Sequence, residues 1–305
     1  MIALWGVMED PPITAVAEGL QALSVTTIHI DQRRIDEYHY EFTLQDGRLA
    51  GHISLEDVSI DLDEVNGIYL RPCDLRQLEE FEGIPDYSEK WFAAVRFEDA
   101  LTMWCELAGC AVVNRPAAMD SNSSKPYQLE IIKDCGFTVP DTLVTTDPEA
   151  VLEFWNKHHN VVYKSISTRR SIVTRLDPSD KDRISDVASC PTQFQQFIEG
   201  IDYRAHVLGD EVFASKITST GDDYRYAAQT QSIAVTIPED IAAKCISLTR
   251  KLGVFFSGID LRQTRDGEWF CFEVNTCPGY TSFQNQASAI TKSLVTFLAA
   301  QTALA

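Results

Sequence analysis

The chain has 305 residues, enough for two domains or three small ones. Forty-five percent are hydrophobic, which excludes a disordered chain. The formal charge of −19 argues against a phosphate-backbone partner, so any anionic ligand must meet positive groups gathered locally.

The N-terminal run from Met1 to Val7 lacks a basic flank and is too short for a signal peptide. No apolar run reaches the length needed to span a bilayer, so a soluble cytoplasmic protein without membrane or nucleic-acid partners is expected. Residues 2–8 predict a buried strand. Pro11 and Pro12 open a helix to about Leu23, and Val25 to Ile30 form a second strand. Val65 to Leu70 read as a strand ending in Arg71-Pro72. A helix follows from Ser88 to Ala108, with Trp91, Val95, Leu101, Trp104 and Leu107 near one face. Ala111 to Asn114 form another strand, and the first domain is expected to end at 115. It reads as doubly wound α/β, without the G-x-G-x-x-G of dinucleotide sites.

Beyond 115, Ser123 or Ser124 caps a helix that Pro126 starts and Gly136 ends. Asp147-Pro148-Glu149 starts the next. Val161 to Ile166 form a strand carrying Lys164. Gly209-Asp210 joins two strands, 204–208 and 211–217. Pro238 opens a helix with Ile241, Cys245, Leu248 and Leu252 at helical spacing. Strands 254–262 and 268–275 then meet around Asp266-Gly267. Eight cysteines occur without a C-x-x-C pair and read as reduced thiols. No histidine spacing supports zinc, and the adjacent His158 and His159 read as surface residues.

Three segments carry chemistry. In the last hairpin, Asp260 can share a face with Arg262, and Glu273 with Asn275. Facing strands would then gather two carboxylates and an amide oxygen, hard donors that suit Mg²⁺. The plain alternative is solvated residues at a sheet edge. Lys164, inside Val-Val-Tyr-Lys-Ser-Ile, needs an anion such as a phosphate or an escape to water. The stretch Gln195 to Arg204 is either an adenosine-lining linker or an ordinary loop. Arg71, before a proline at a strand end, is either a carboxylate binder or a cap on the sheet.

Taken in order, Lys125, Lys164, the Gln195–Asp202 linker, Asp260, Glu273 and Asn275 resemble the ATP-grasp superfamily over about residues 112–300. The string Glu273-Val-Asn-Thr-Cys-Pro-Gly279 resembles RimK-like ligases most specifically. The resemblance implies an α/β (α+β) chain: an N-terminal pre-ATP-grasp domain over 1–115, then a two-lobed ATP-grasp domain with lobes at 116–190 and 191–305. It implies ATP and Mg²⁺ as cofactors. Lys125 and Lys164 would meet the phosphates. Gln195, Gln196 and Ile198 would meet the adenine, and Asp202 the ribose. Asp260, Glu273 and Asn275 would bind magnesium. A homodimer fits the same likeness.

Lys125-Pro-Tyr-Gln-Leu, Asp202-Tyr-Arg204 and Asp223-Tyr-Arg225 further resemble graspetide synthetases, RimK-like enzymes that close rings between side chains of a precursor peptide. That likeness implies Arg204 and Arg225 at the phosphates or the acyl phosphate. The chain departs from many relatives after Lys164, where Ser165 to Thr174 contain no glycine and Arg169 and Arg170 stand in place of lid amides. The expected function is an ATP-dependent carboxylate–amine ligase on a small-molecule or peptide acid. The alternatives are a peptide macrocyclase and a nucleotide-binding sensor or scaffold without turnover.

Overall fold

The computed structural model describes residues 1–45, 47–166, 173–219 and 230–303. The chain divides into two units: Met1–Met119 with Gly279–Ser282 and Ala287–Ala305, and Asp120–Pro278 with Phe283–Gln286.

In the first unit, β1 (Ile2–Gly6), β2 (Thr27–Asp31), β6 (Gly67–Arg71) and β7 (Ala111–Val113) form a parallel sheet in the order β2-β1-β6-β7. All five residues of β1 are buried, which explains its unbroken apolar run. Helix α1 (Pro11–Ala22) starts on its two prolines, and α2 (Glu89–Leu107) starts at Ser88, whose hydroxyl accepts from Trp91 N–H. The buried stripe of α2 holds Trp91, Ala94, Phe97, Leu101, Trp104 and Cys105. Leu107, expected on that face, is 40% exposed instead.

An antiparallel sheet not read from the sequence, β3 (His39–Gln45), β4 (Arg48–Leu55) and β5 (Val58–Asp61), adds Leu49, Ile53 and Ile60 to the same core. Gly51 is required there, because a Cβ would come 1.9 Å from the Glu41 carbonyl oxygen. From Ala287 onward the C-terminal helix belongs to this unit, not with the strands before it in sequence. Its Val295 packs on Gly19, where a Cβ would come 2.6 Å from Val295 Cγ2.

The second unit holds two sheets. The first contains β8 (Thr142–Thr145), β9 (Val161–Ser165), β10 (Thr174–Arg175) and β11 (Thr192–Gln196), in the order β10-β9-β11-β8. The second contains β12 (Ile201–Leu208), β13 (Glu211–Ser219), β14 (Thr230–Val235), β15 (Phe256–Gln263) and β16 (Trp269–Asn275), in the order β14-β13-β12-β15-β16. Gly209 turns the β12–β13 hairpin at φ +58°, and Gly267 turns β15 into β16 at φ +88°.

The short helix α3 (Pro116–Met119) ends the first segment of the first unit, and α4 (Lys125–Asp134) is the first α-helix of the second. Helix α5 (Pro148–His158) is capped by Asp147, and α6 (Glu239–Lys251) buries Ile241, Cys245 and Leu248 as its spacing predicts. His158 is not a surface residue. Its side chain is tucked against Phe154 and lies 3.3 Å from Asp141. All eight cysteines are free. Among the described residues, no helix is long and apolar enough to cross a membrane.

Candidate functional site

Each strand of the first sheet in the second unit has two faces, and the alternation sorts them. Val161 and Tyr163 of β9, Leu143 of β8 and Phe194 of β11 pack into a core with Val151, Leu176, Ile184 and Val187. Val162 and Lys164, Gln195 and Gln196 line an open cleft instead, together with Phe197, Ile198, Asp202, Asp260 and Glu273. The cleft gathers seven of the residues singled out above: Lys164, Gln195, Gln196, Ile198, Asp202, Asp260 and Glu273.

Asp260 and Glu273 stand directly opposite one another across β15 and β16, and Gly258 stands opposite Asn275 one pleat further on. A bulge follows immediately, between Asp260 and Leu261, so the pairs that carry the acidic residues lie in the regular part of the ladder. Like charges opposed in this way repel unless compensated. Two buried cations compensate them. Arg204 Nη1 donates to Asp260 at 2.8 Å, and Lys164 Nζ to Glu273 at 3.4 Å, with the two cationic side chains 6% and 7% exposed. The lysine within an apolar strand therefore does not escape to water; its anion is Glu273.

Gly258 lies against the first of these contacts. A Cβ there would lie 2.3 Å from Arg204 Nη2, so a larger residue would push the guanidinium aside. Two carboxylates and an amide oxygen on one strand pair are a donor set that fits a hard divalent cation. Asn275 Oδ1 also accepts from Cys277 N–H at 2.9 Å, which fixes the amide's orientation. Among the described residues, no three His, Cys, Asp or Glu side chains converge; the set here has two carboxylates plus an amide. Beneath it, burial pushes the Cys271 thiol well above its usual range, with Cys245, Asp260 and Glu273 adding to the effect, so it stays protonated.

At the other end of the cleft, Asp202 takes two bonds from Arg262, at 2.6 and 2.9 Å. Arg262 also donates to the Ile198 carbonyl at 2.8 Å and lies over the Phe197 and Phe272 rings. Gln195 Nε2 donates to Thr142 Oγ1 at 3.0 Å. Gly200 lets the linker approach β15, because a Cβ would come 2.3 Å from the Gln263 carbonyl oxygen. Lys125 stands at the start of α4, with Nζ 3.4 Å from the Ser165 carbonyl oxygen and thus beside the strand of Lys164. Arg225, Arg169 and Arg170 lie outside the described residues. Arg71 closes the end of β6 in an ion pair with Asp10 at 2.5 Å.

Two residues with a structural hold on the site were not found from the sequence. One is Arg262, read only as a neighbour of Asp260. The other is Gln128, 2% exposed, which donates to the Val274 carbonyl at 2.8 Å and accepts from Val274 N–H at 2.7 Å. Its carboxamide acts as one more strand residue on the outer edge of β16, between Glu273 and Asn275. Cys271 N–H donates to the Thr138 carbonyl on the same edge.

The model of the RimK-like ATP-grasp domain matches residues 123–298. N-acetylaspartylglutamate synthase A of Homo sapiens is 27% identical over 193 residues, 58% of this chain and 49% of that protein. The chain thus spans about half the length of the curated relatives it matches. The structure of ATP-grasp ligase PsnB complexed with a phosphomimetic variant of minimal precursor, Mg and ADP superposes with a TM-score of 0.84 at 26% identity, covering 99% of this chain and 98% of that one. Macrocyclase MdnC of Microcystis aeruginosa MRC, bound with precursor peptide MdnA, has the same fold, with a TM-score of 0.80 at 19% identity over 97% of this chain and 98% of that one.

Proposed function

Because the chain belongs to the RimK-like ATP-grasp family, whose domain spans more than half of it, we propose that it is an ADP-forming ligase that joins a carboxylate to an amine or hydroxyl. The observation that carries this reading is the opposed pair Asp260 and Glu273, in one cleft with Lys164 and the Gln195–Asp202 linker. Asp260, Glu273 and Asn275 would hold Mg²⁺, which supplies charge neutralisation at the phosphates when bound. Lys164 and Lys125 would meet the phosphates, Gln195, Gln196 and Ile198 the adenine, and Asp202 the ribose. Arg204 would steady the acyl phosphate; the matching role for Arg225 rests on the resemblance alone.

A carboxylate is a poor electrophile because its charge is delocalised. Transfer of the γ-phosphoryl group to a carboxylate oxygen gives an acyl phosphate and ADP. An amine or hydroxyl then attacks the carbonyl, and inorganic phosphate leaves with that oxygen. The protein's part is positioning and charge compensation. Arg204 and Lys164 pair with Asp260 and Glu273, so the charges of the site are held in fixed positions relative to one another.

The first unit, with its parallel sheet, is read as the pre-ATP-grasp domain, and the two sheets of the second unit as the two ATP-grasp lobes. For the substrate we favour a peptide bearing acidic side chains. The likeness to PsnB, complexed with a phosphomimetic variant of minimal precursor, runs the length of this chain, whereas the likeness to the synthases stops at about half of theirs. Eight free cysteines suit a reducing cytoplasm.

The test supplies ATP, Mg²⁺ and synthetic peptides that carry Asp or Glu with Thr, Ser or Lys, and measures ADP, phosphate and peptide mass. ADP and phosphate with loss of one water per new bond support the reading. AMP as product overturns it. Tight ATP binding without turnover on any acid would make the protein a sensor.

A further inference from the structure

Lys164 and Gln193 stand directly opposite one another on β9 and β11, on the side of the sheet away from Phe194 and its core. Opposed side chains of paired antiparallel strands lie close enough to interact. Lys164 lines the cleft, and Gln193 lies behind it, outside the cleft wall. The residue opposite Gln193 on its other side is Val144 of β8, whose side chain has no polar group to offer.

Both members of this pair have hydrogen-bonding capacity left open. Gln193 is 1% exposed, and neither its Oε1 nor its Nε2 has a partner. Its neighbour Gln195 is also buried but bonded to Thr142. The buried ammonium of Lys164 carries three donors, and among the described residues it uses one of them, on Glu273 at a long 3.4 Å. A buried polar group left unpaired costs stability, so an arrangement that joins amide and ammonium is favoured.

The direction of the ammonium also matters to the chemistry. A lysine is a point charge on a flexible stem, and one long bond does not fix where its other two protons point. Under the nucleotide reading Glu273 belongs to the magnesium position as well, so its hold on Lys164 is shared. An acceptor behind the ammonium would supply a second fixed point and leave the remaining donor aimed into the cleft. Resting on that nucleotide reading, we propose that Gln193 is a positioning residue for Lys164, its Oε1 taking one ammonium proton and so aiming the lysine at the phosphates. Gln193 acts through Lys164 and touches no ligand itself.

Calorimetry of ADP and of adenosine, both with Mg²⁺, tests this on the wild type, Gln193→Leu, Lys164→Met and the double variant. Leucine keeps most of the volume, and loss of the orphaned amide should leave the melting temperature no lower than wild type. Gln193→Leu should weaken ADP about ten-fold, the lower range for a hydrogen bond to a charged group, and leave adenosine unchanged. On the Lys164→Met background the same substitution should change ADP affinity by less than about two-fold, because the group it positions is gone. Equal losses in the two backgrounds, equal losses for ADP and adenosine, or wild-type ADP affinity in Gln193→Leu each overturn the proposal. No ADP binding by the wild type, or unchanged ADP affinity in Lys164→Met, would overturn the phosphate reading of the cleft and the proposal with it.

Discussion

Replacing Gln128 with leucine tests whether the acidic strand is held from outside its own sheet. Leucine keeps most of the side-chain volume, so cavity effects are small. What it removes is the pair of bonds to Val274, at 2.8 and 2.7 Å. Gln128 is 2% exposed and Val274 fully buried, so water cannot replace either bond. Two buried backbone groups go unpaired at about 1–3 kcal/mol each, so the second unit should lose about 2–6 kcal/mol. Urea unfolding followed by fluorescence reports the total, since Trp269 lies on the same strand. Hydrogen exchange at the Val274 amide reports the cause. Its protection should drop in Gln128→Leu, and Mg²⁺–ADP affinity should fall with it, because Val274 lies between Glu273 and Asn275. An unmoved unfolding midpoint with an equally protected Val274 amide would refute the reasoning.

Gly258→Ala should displace the Arg204 guanidinium, since the new Cβ would lie 2.3 Å from Nη2; turnover should fall about 100-fold, the scale of a misplaced catalytic group, and wild-type kcat would show that Arg204 does not need this slot. Glu273→Gln removes one charge of the acidic pair and should abolish magnesium-dependent turnover while circular dichroism stays native; normal activity would reject the metal assignment. Glu98 of α2 has its carboxyl pushed up to about 7, mainly by burial and then by Asp99. A raised acid stabilises the fold while it keeps its proton, so this contribution is present below pH 4.5 and is lost as pH rises through about 7. It amounts to about 3 kcal/mol at most, and Glu98→Gln should flatten that stretch of the stability profile; an unchanged profile would place the cause elsewhere.

What the sequence made legible was local. The helix starts at Ser88 and Asp147, Gly209 and Gly267 as hairpin turns, and the shared face of Asp260, Glu273 and Asn275 all follow from spacings of a few residues. The sheet of β3 to β5 escaped because Gly51 and exposed charged residues interrupt its alternation, and the C-terminal helix because small and polar residues blur its period. What could not be read were the partners. Gln128 reaches Val274 across 146 positions, Arg262 reaches Asp202 across 60, and Arg204 reaches Asp260 across 56. Nothing in a one-dimensional pattern assigns those pairs. A trace of them does exist in the glycines. Gly258 and Gly200 sit within or beside strands where any side chain would have added stability, and each is small because a guanidinium or a carbonyl passes within reach of its missing Cβ. A glycine inside an apolar strand next to an acidic motif therefore carries information about a distant arginine. Read that way, the Gly-Ile-Asp of β15 already predicts that something large and positive lies over the first residue and bonds the third, which is what Arg204 does.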